Sequence, residues 1–289
     1  MRLVSQLVKL IRPKQWIKNS YVFAALVFSG SLFNLSMFMM CCFGFTIFCI
    51  SSSCVYIVND AIDASSDRAH PQKMNRPLAS GAVSITQAML LLLTLLILLL
   101  LSFVYVNIHF RVVISIYLLI NLLYSFWLKN EPIIDIICIS LGFVLRAISG
   151  AVIINVTISP WLLICTFLLS LYLAINKRTC EIKNIAIEAA YKRKVLEFYT
   201  IDMLSSMSSV VLSATITAYC IYIITTELMA NMLITIPFVV YGLFRYQHIA
   251  NSTEYAESPE TAILKDKPLL ICVLIWGLAC VSFMYINFT

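Results

Sequence analysis

Charge is what this chain has least of: Asp, Glu, Lys and Arg supply only 12% of its 289 residues, against 61% hydrophobic residues. So few charges cannot clothe a water-soluble globule, and a mean hydropathy of +0.94 belongs to membrane-embedded proteins. A cleavable leader is also lacking. The basic start MRLVSQLVKLIRPKQWIKN precedes a full apolar span and has no small-residue cleavage pattern, so the first helix is expected to be retained. The cysteines lack metal-ligand spacing. Cys41, Cys42, Cys49, Cys54, Cys138, Cys165, Cys220, Cys272 and Cys280 fall in apolar segments and read as packing residues, and only Cys180 approaches an aqueous loop. Neither a redox centre nor zinc is expected, and no nucleic-acid partner.

What is present is a series of apolar runs. Crossing a bilayer takes about 20 apolar residues in a helix, and nine segments approach or exceed that: 21–33, 37–58, 88–106, 112–128, 133–154, 161–175, 203–226, 232–244 and 269–286, the first, sixth and eighth being short. The expected fold is an all-α integral membrane protein, one transmembrane catalytic domain over residues 1–289. Leu3, Leu7 and Leu10 share a helical face, so residues 2–11 are expected to lie along the membrane surface until Pro13 breaks them off. The leucines around Leu95 and Leu96 read as lipid-facing.

With nine spans, eighteen of the twenty basic residues fall on the N-terminal side, leaving Arg111 opposite and Arg146 inside a span. The positive-inside rule then puts the N terminus in the cytoplasm, here of a bacterial inner membrane. Of fourteen acidic residues only Glu227 is assigned to the far side. A transporter needs polar groups near the midplane, reachable from both faces. Polar groups gathered at one face favour an enzyme that joins a membrane lipid to a cytosolic substrate.

The stretch NDAIDASSDR, residues 59 to 68, concentrates that polarity. If the second span continues as a helix, residues 59, 60, 63 and 67 fall at about 0°, 100°, 40° and 80° around its axis and share one face. Three carboxylates there repel one another and oppose the helix macrodipole. Either this is a solvated helix end, or a cation holds them, and Asp oxygens with bridging phosphate oxygens suit octahedral magnesium. The following HPQKMNRPLASG adds Lys73 and Arg76, cations suited to phosphate, in a loop that its prolines and glycine order over the aspartates.

NDAIDASSDRAHPQKMNRPLASG resembles the first motif, NDxxDxxxD with a basic loop ending RP, of the UbiA-type polyprenyl transferase superfamily. The resemblance implies a nine-helix membrane bundle with a cytoplasm-facing cavity that binds a magnesium diphosphate. It also implies Asp60, Asp63 and Asp67 as magnesium ligands, with Asn59 and Arg68 beside them. Members that prenylate aromatic rings carry a second motif, DxxxD, on the sixth helix. The matching stretch here, LYLAINKRTCEIKN, has none.

Lys177, Arg178 and Glu181 stand there instead, at about 0°, 100° and 40°. One cationic face with a single carboxylate replaces an acidic one, as a substrate richer in phosphate would need. RPKQWIKN, GFVLRAISGAV, SPWLLICTFLLSLYLAINKRTCEI and ESPETAILKDKPLL extend the resemblance to the decaprenyl-phosphate phosphoribosyltransferase family, from about residue 10 to residue 280. That family transfers phosphoribose from 5-phosphoribosyl 1-diphosphate (PRPP) to a polyprenyl phosphate.

The resemblance implies a catalytic set of Asp60, Asp63, Asp67 and Lys177, with Mg2+ neutralising the departing diphosphate and Lys73 and Arg76 assisting. Lys14, Lys18, Lys177 and Arg178 are candidates for the 5-phosphate or the lipid phosphate. Glu181 either orients Lys177 or joins a second metal site. Arg146 reaches the acceptor phosphate or is anchored on neighbouring carbonyls; Asp135, eleven residues earlier, is roughly 16 Å away along the helix and cannot pair with it. Asp266 either closes a loop or is a solvated charge. The alternative functions are a prenyltransferase acting on an aromatic or small acceptor and, from a different class, a lipid or ion transporter. Homo-oligomerisation is left open.

Overall fold

The structure is a computed structural model and describes residues 2–69, 73–185, 194–225, 232–252 and 259–286. Lys192, Arg193 and Glu227, used above to orient the chain, lie outside the described residues, as do residues 70–72 of the basic loop.

The described chain is helical throughout. Helix α1 (Arg2–Leu10) leads into a 3₁₀ segment (Pro13–Phe23) and α2 (Ala24–Phe28); then follow α3 (Leu35–Arg68), α4 (Ile85–Ser102), α5 (Ile108–Phe126), α6 (Ile134–Ile153), α7 (Pro160–Ile185), α8 (Ile201–Thr225), α9 (Ile236–Ser252), α10 (Pro259–Lys265) and α11 (Lys267–Ile286). Side-chain caps start three of them. Asn34 and Asn107 accept the third backbone N–H of α3 and α5, and Ser84 with Gln87 forms a reciprocal capping box on α4.

Seven described helices are long and apolar enough to cross a membrane. The first and eighth expected spans are not among them. Residues 21–33 are split between the end of the 3₁₀ segment, the five-residue α2 and a turn. Residues 232–244 enter a short 3₁₀ turn before α9, which has 17 residues. Helix α4 presents Leu90, Leu93, Leu100 and Leu101 outward, as a lipid-facing surface would. Cys180 departs from expectation: it is buried, its thiol 3.4 Å from the Ala250 carbonyl.

The N-terminal segment matters most for the site because it is hooked onto the polar interior of α3. Trp16 donates to Ser53 at 3.1 Å, and Asn19 to Ser52 at 3.2 Å. Its other flank meets α6 so closely that a Cβ at Gly150 would lie 1.8 Å from the Val22 carbonyl oxygen. No rotamer change relieves a clash between two backbones. Gly150→Ala should therefore cost about 1–3 kcal/mol or more and lower the unfolding midpoint in detergent. Gly44→Ala serves as control, because the one close approach of its Cβ is to the side-chain end of Ile153 at 2.8 Å, with Phe110 at an ordinary 3.5 Å. Equal midpoints for the two variants would refute the close-approach argument.

Candidate active site

The ion pairs of the described chain gather at one end of the bundle: the C-terminal ends of α3, α5, α7 and α9, the starts of α6 and α11, and the N-terminal segment. Helix α3 continues unbroken to Arg68, so Asn59, Asp60, Asp63 and Asp67 share a face as their spacing requires. The loop after it folds back onto that face. Arg68 donates through Nε to the Ala79 carbonyl at 3.2 Å and so holds the loop closed.

Cations from three places neutralise the aspartates. Asp60, only 2% exposed, pairs with Arg12 and with Arg76 Nη1 at 3.1 Å. The same Arg76 nitrogen lies 2.5 Å from Asp67. Asp63 turns elsewhere, accepting from Asn59 at 3.2 Å and from Lys129 at 2.6 Å. Arg12 is set at the break between α1 and the 3₁₀ segment by a left-handed backbone, φ 54°, and its guanidinium lies over the Tyr56 ring at 5.1 Å.

Among the described residues no three His, Cys, Asp or Glu groups converge as a metal-binding cluster. The donor chemistry nonetheless fits a hard divalent cation. Asp60 and Asp67 already converge on one cationic atom of Arg76, so these two carboxylates would hold such an ion together with phosphate oxygens of a substrate. Asp63 would have to leave Lys129 to join them.

The end of α7 is the second cluster, and it corrects one expectation. Arg178 is wholly buried, with Nε on Asp135 at 2.7 Å, Nη1 on Glu181 at 2.6 Å and Nη2 on the Tyr124 hydroxyl at 3.3 Å. Its guanidinium is occupied by protein groups rather than presented to a phosphate. Glu181 accordingly serves Arg178. Lys177, next along the helix, is the partly exposed cation of the pair.

Asp135 also accepts from the Tyr199 hydroxyl at 2.6 Å, which itself accepts the Ile133 N–H at 2.6 Å. Burial, then Asp135, pushes the Tyr199 phenol well above its ordinary value, so it remains a donor. Ile133 has φ 68° and ψ −44°, and Ile134 N–H closes onto the Pro132 carbonyl at 2.8 Å. This is a γ-turn, strained for a β-branched residue. The cluster thus fixes the turn that follows Lys129, the partner of Asp63.

Arg146 is likewise an internal anchor. At 6% exposure it donates to the Gly142 carbonyl (2.7 Å), Asn19 Oδ1 (2.8 Å) and the Tyr117 hydroxyl (2.9 Å), among the rings of Phe48, Tyr117 and Phe143. It ties the N-terminal segment to α5 and α6. The acceptor-phosphate role expected as one alternative gives way to the anchor, because all three donor nitrogens are committed.

The remaining candidates are peripheral to these clusters or bridge them. Lys18 meets Glu260 of α10 at 3.3 Å, and burial holds its ammonium below the usual lysine value against the opposing pull of Glu260. Lys14 is exposed and Lys73 partly so. Asp266 closes a loop. It takes both Nε and Nη2 of Arg245, at 3.1 and 2.8 Å, accepts the Leu269 N–H at 2.9 Å, and is held below the usual carboxylate range by Arg245.

Arg12, Lys129, Glu260, Tyr124 and Tyr199 belong to the site without having been singled out in the sequence. Arg12 and Lys129 read there only as positive-inside charges, and nothing in their spacing links them to aspartates 48 and 66 residues away.

Comparison with known proteins agrees with this geometry. The chain is 33% identical to decaprenyl-phosphate phosphoribosyltransferase of Mycolicibacterium smegmatis over 95% of this chain and 91% of that one. It is 32% identical to the protein of the same name from Corynebacterium glutamicum, over 98% of this chain and 88% of that one. In architecture it is similar to a UbiA homologue from Archaeoglobus fulgidus solved with GPP and Mg2+, at a TM-score of 0.71, 20% identity and 98% coverage of both chains. The model of the UbiA prenyltransferase family matches residues 20–265, and the chain belongs to that family.

Proposed function

We propose that this protein transfers the 5-phosphoribosyl group of PRPP to a polyprenyl phosphate and releases diphosphate. Similarity at 32–33% identity along nearly the whole chain to proteins named for that reaction carries the reading. The cationic end of α7, where prenylating members have carboxylates, supports it. In this reading the protein is one catalytic domain in a bacterial inner membrane, with residues 21–33 and 232–244 completing nine crossings and the ion-paired end in the cytoplasm.

The step forms a bond from the lipid phosphate oxygen to C1 of the ribose and breaks the bond from C1 to the diphosphate. The lipid phosphate is already anionic at neutral pH and needs no strong base. Asp60 and Asp67, joined by Asp63, would hold Mg2+, whose chemistry is neutralisation of the diphosphate charge that builds at C1 departure. Arg76 and Lys73 move from carboxylate and loop to the diphosphate oxygens. Asn59, one turn before it, orients Asp63 once that carboxylate has left Lys129. Lys14, Lys18 and Lys177 meet the outlying phosphates, while Arg178, Glu181 and Arg146 hold the walls.

Purified protein given Mg2+, polyprenyl phosphate and ribose-labelled PRPP should carry label into the lipid phase, and a chelator should stop it. Label that stays in water, with prenyl transfer from a prenyl diphosphate to an aromatic acceptor instead, would overturn the proposal.

A further inference from the structure

Arg12 and Lys129 are both held on the aspartates of α3, and the transfer step proposed above uses neither. Arg12 stands where α1 turns into the 3₁₀ segment, in a left-handed backbone with φ 54°, and its guanidinium joins Asp60 while lying 5.1 Å over the Tyr56 ring. Lys129 stands in a short 3₁₀ turn (Leu128–Asn130), four residues before the strained Ile133, and its ammonium lies 2.6 Å from Asp63. Water does little to loosen either pair, because Asp60 is 2% exposed, Lys129 18% and Asp63 22%.

Charge decides what this arrangement admits. Asp60, Asp63 and Asp67 bring three negative charges, and Arg12, Arg76 and Lys129, the cations paired with them, bring three positive ones. The paired set is therefore neutral before any divalent ion arrives. A bare Mg2+ would have to displace an ammonium and a guanidinium, leaving a net positive site with half-buried cations that have lost their partners. A divalent ion that arrives with a diphosphate brings its own negative charge, and the displaced cations regain charge-assisted bonds on the diphosphate oxygens.

We propose that Arg12 and Lys129 are resident counter-cations that make metal entry conditional: they occupy Asp60 and Asp63 while the site is empty, and release them only to a divalent ion that enters together with a diphosphate, whose oxygens they then hold. This rests on the part of the proposed function that gives the aspartates a divalent ion, and is indifferent to what the diphosphate is attached to. Metal and diphosphate then each tighten the binding of the other, as reciprocal coupling requires. Arg12 keeps the Tyr56 ring beneath it in both states, so its release from Asp60 needs no movement of α1.

Equilibrium dialysis of the purified protein in detergent, against Mn2+ alone and against Mn2+ with labelled inorganic diphosphate, tests this without any turnover. Wild type should bind the Mn2+–diphosphate complex about tenfold or more tightly than Mn2+ alone. Lys129→Met should tighten Mn2+ alone by about tenfold, because Asp63 is released, and weaken the complex by about tenfold, because one cation is lost. Arg12→Met should shift the two affinities in the same opposed directions through Asp60. Misfolding lowers both affinities and cannot mimic that crossing. Lys9→Met, which removes an equal charge from the exposed side of α1, should change neither. The inference is overturned if wild type binds Mn2+ alone as tightly as the complex, or if neither Lys129→Met nor Arg12→Met moves the two affinities in opposite directions. Failure of wild type to bind Mn2+ in either form would bring down the metal reading itself, a result visible before any variant is made.

Discussion

Asp60→Asn lowers transfer by about 10²–10³-fold, the loss that follows deletion of one preorganised contact to developing charge, while the protein remains folded. Both halves follow from the neighbours of Asp60. Its carboxylate is the most deeply buried of the three on α3 and the one joined to two guanidinium groups. Asparagine removes the charge that would bind Mg2+. Stability changes little because each cation keeps another support: Arg76 retains Asp67 at 2.5 Å, and Arg12, 22% exposed, retains the Tyr56 ring and water. The measurements are kcat across a magnesium titration and the unfolding midpoint in detergent. Half-maximal activity should require more magnesium in the variant. An unchanged kcat, or a loss matched by lost folded protein, would remove Asp60 from the metal site.

The sequence disclosed the parts of the site that depend on one helix. Spacing puts the aspartates on one face provided α3 continues past Val58, as it does, and Lys and Arg bias puts the polar groups at one end. It did not disclose partners that meet across helices. Arg12 reaches Asp60, Lys129 reaches Asp63 and Arg178 reaches Asp135 over 43 to 66 residues. In a membrane protein such cations look like ordinary positive-inside charges. The same limit explains Arg146, whose charge within a span was visible but whose partners Asn19 and Tyr117 lie on other segments. The first and eighth spans are not single long helices, for a different reason. Hydropathy counts residues without distinguishing one unbroken α-helix from 3₁₀ and α pieces in succession, and that is how residues 13–28 fold.

Arg178→Met is the converse of Asp60→Asn: its first effect is on stability, at about 3–5 kcal/mol, the usual result of removing one partner from a buried ion pair. Methionine fills much of the same volume, so the cost comes from the carboxylates left behind. Glu181 is 18% exposed and can recover water, whereas Asp135 is fully buried and keeps only the Tyr199 hydroxyl. Most of the loss should therefore trace to Asp135. Adding Asp135→Asn to Arg178→Met should restore part of it, because a buried neutral amide costs less than a buried unpaired charge; the coupling is read from a double-mutant cycle of unfolding midpoints. Activity should fall along with stability in the single variant, since Asp135 and Tyr199 hold the strained Ile133 turn, and Lys129 on Asp63 is anchored only four residues before it. A phosphate-binding Arg178 makes the opposite forecast. Its loss would raise KM for PRPP at nearly constant stability, and the second substitution would rescue nothing. The pair of measurements decides whether Arg178 grips substrate or, as its burial and its bonds to Asp135 and Glu181 predict, holds the scaffold at the end of α7.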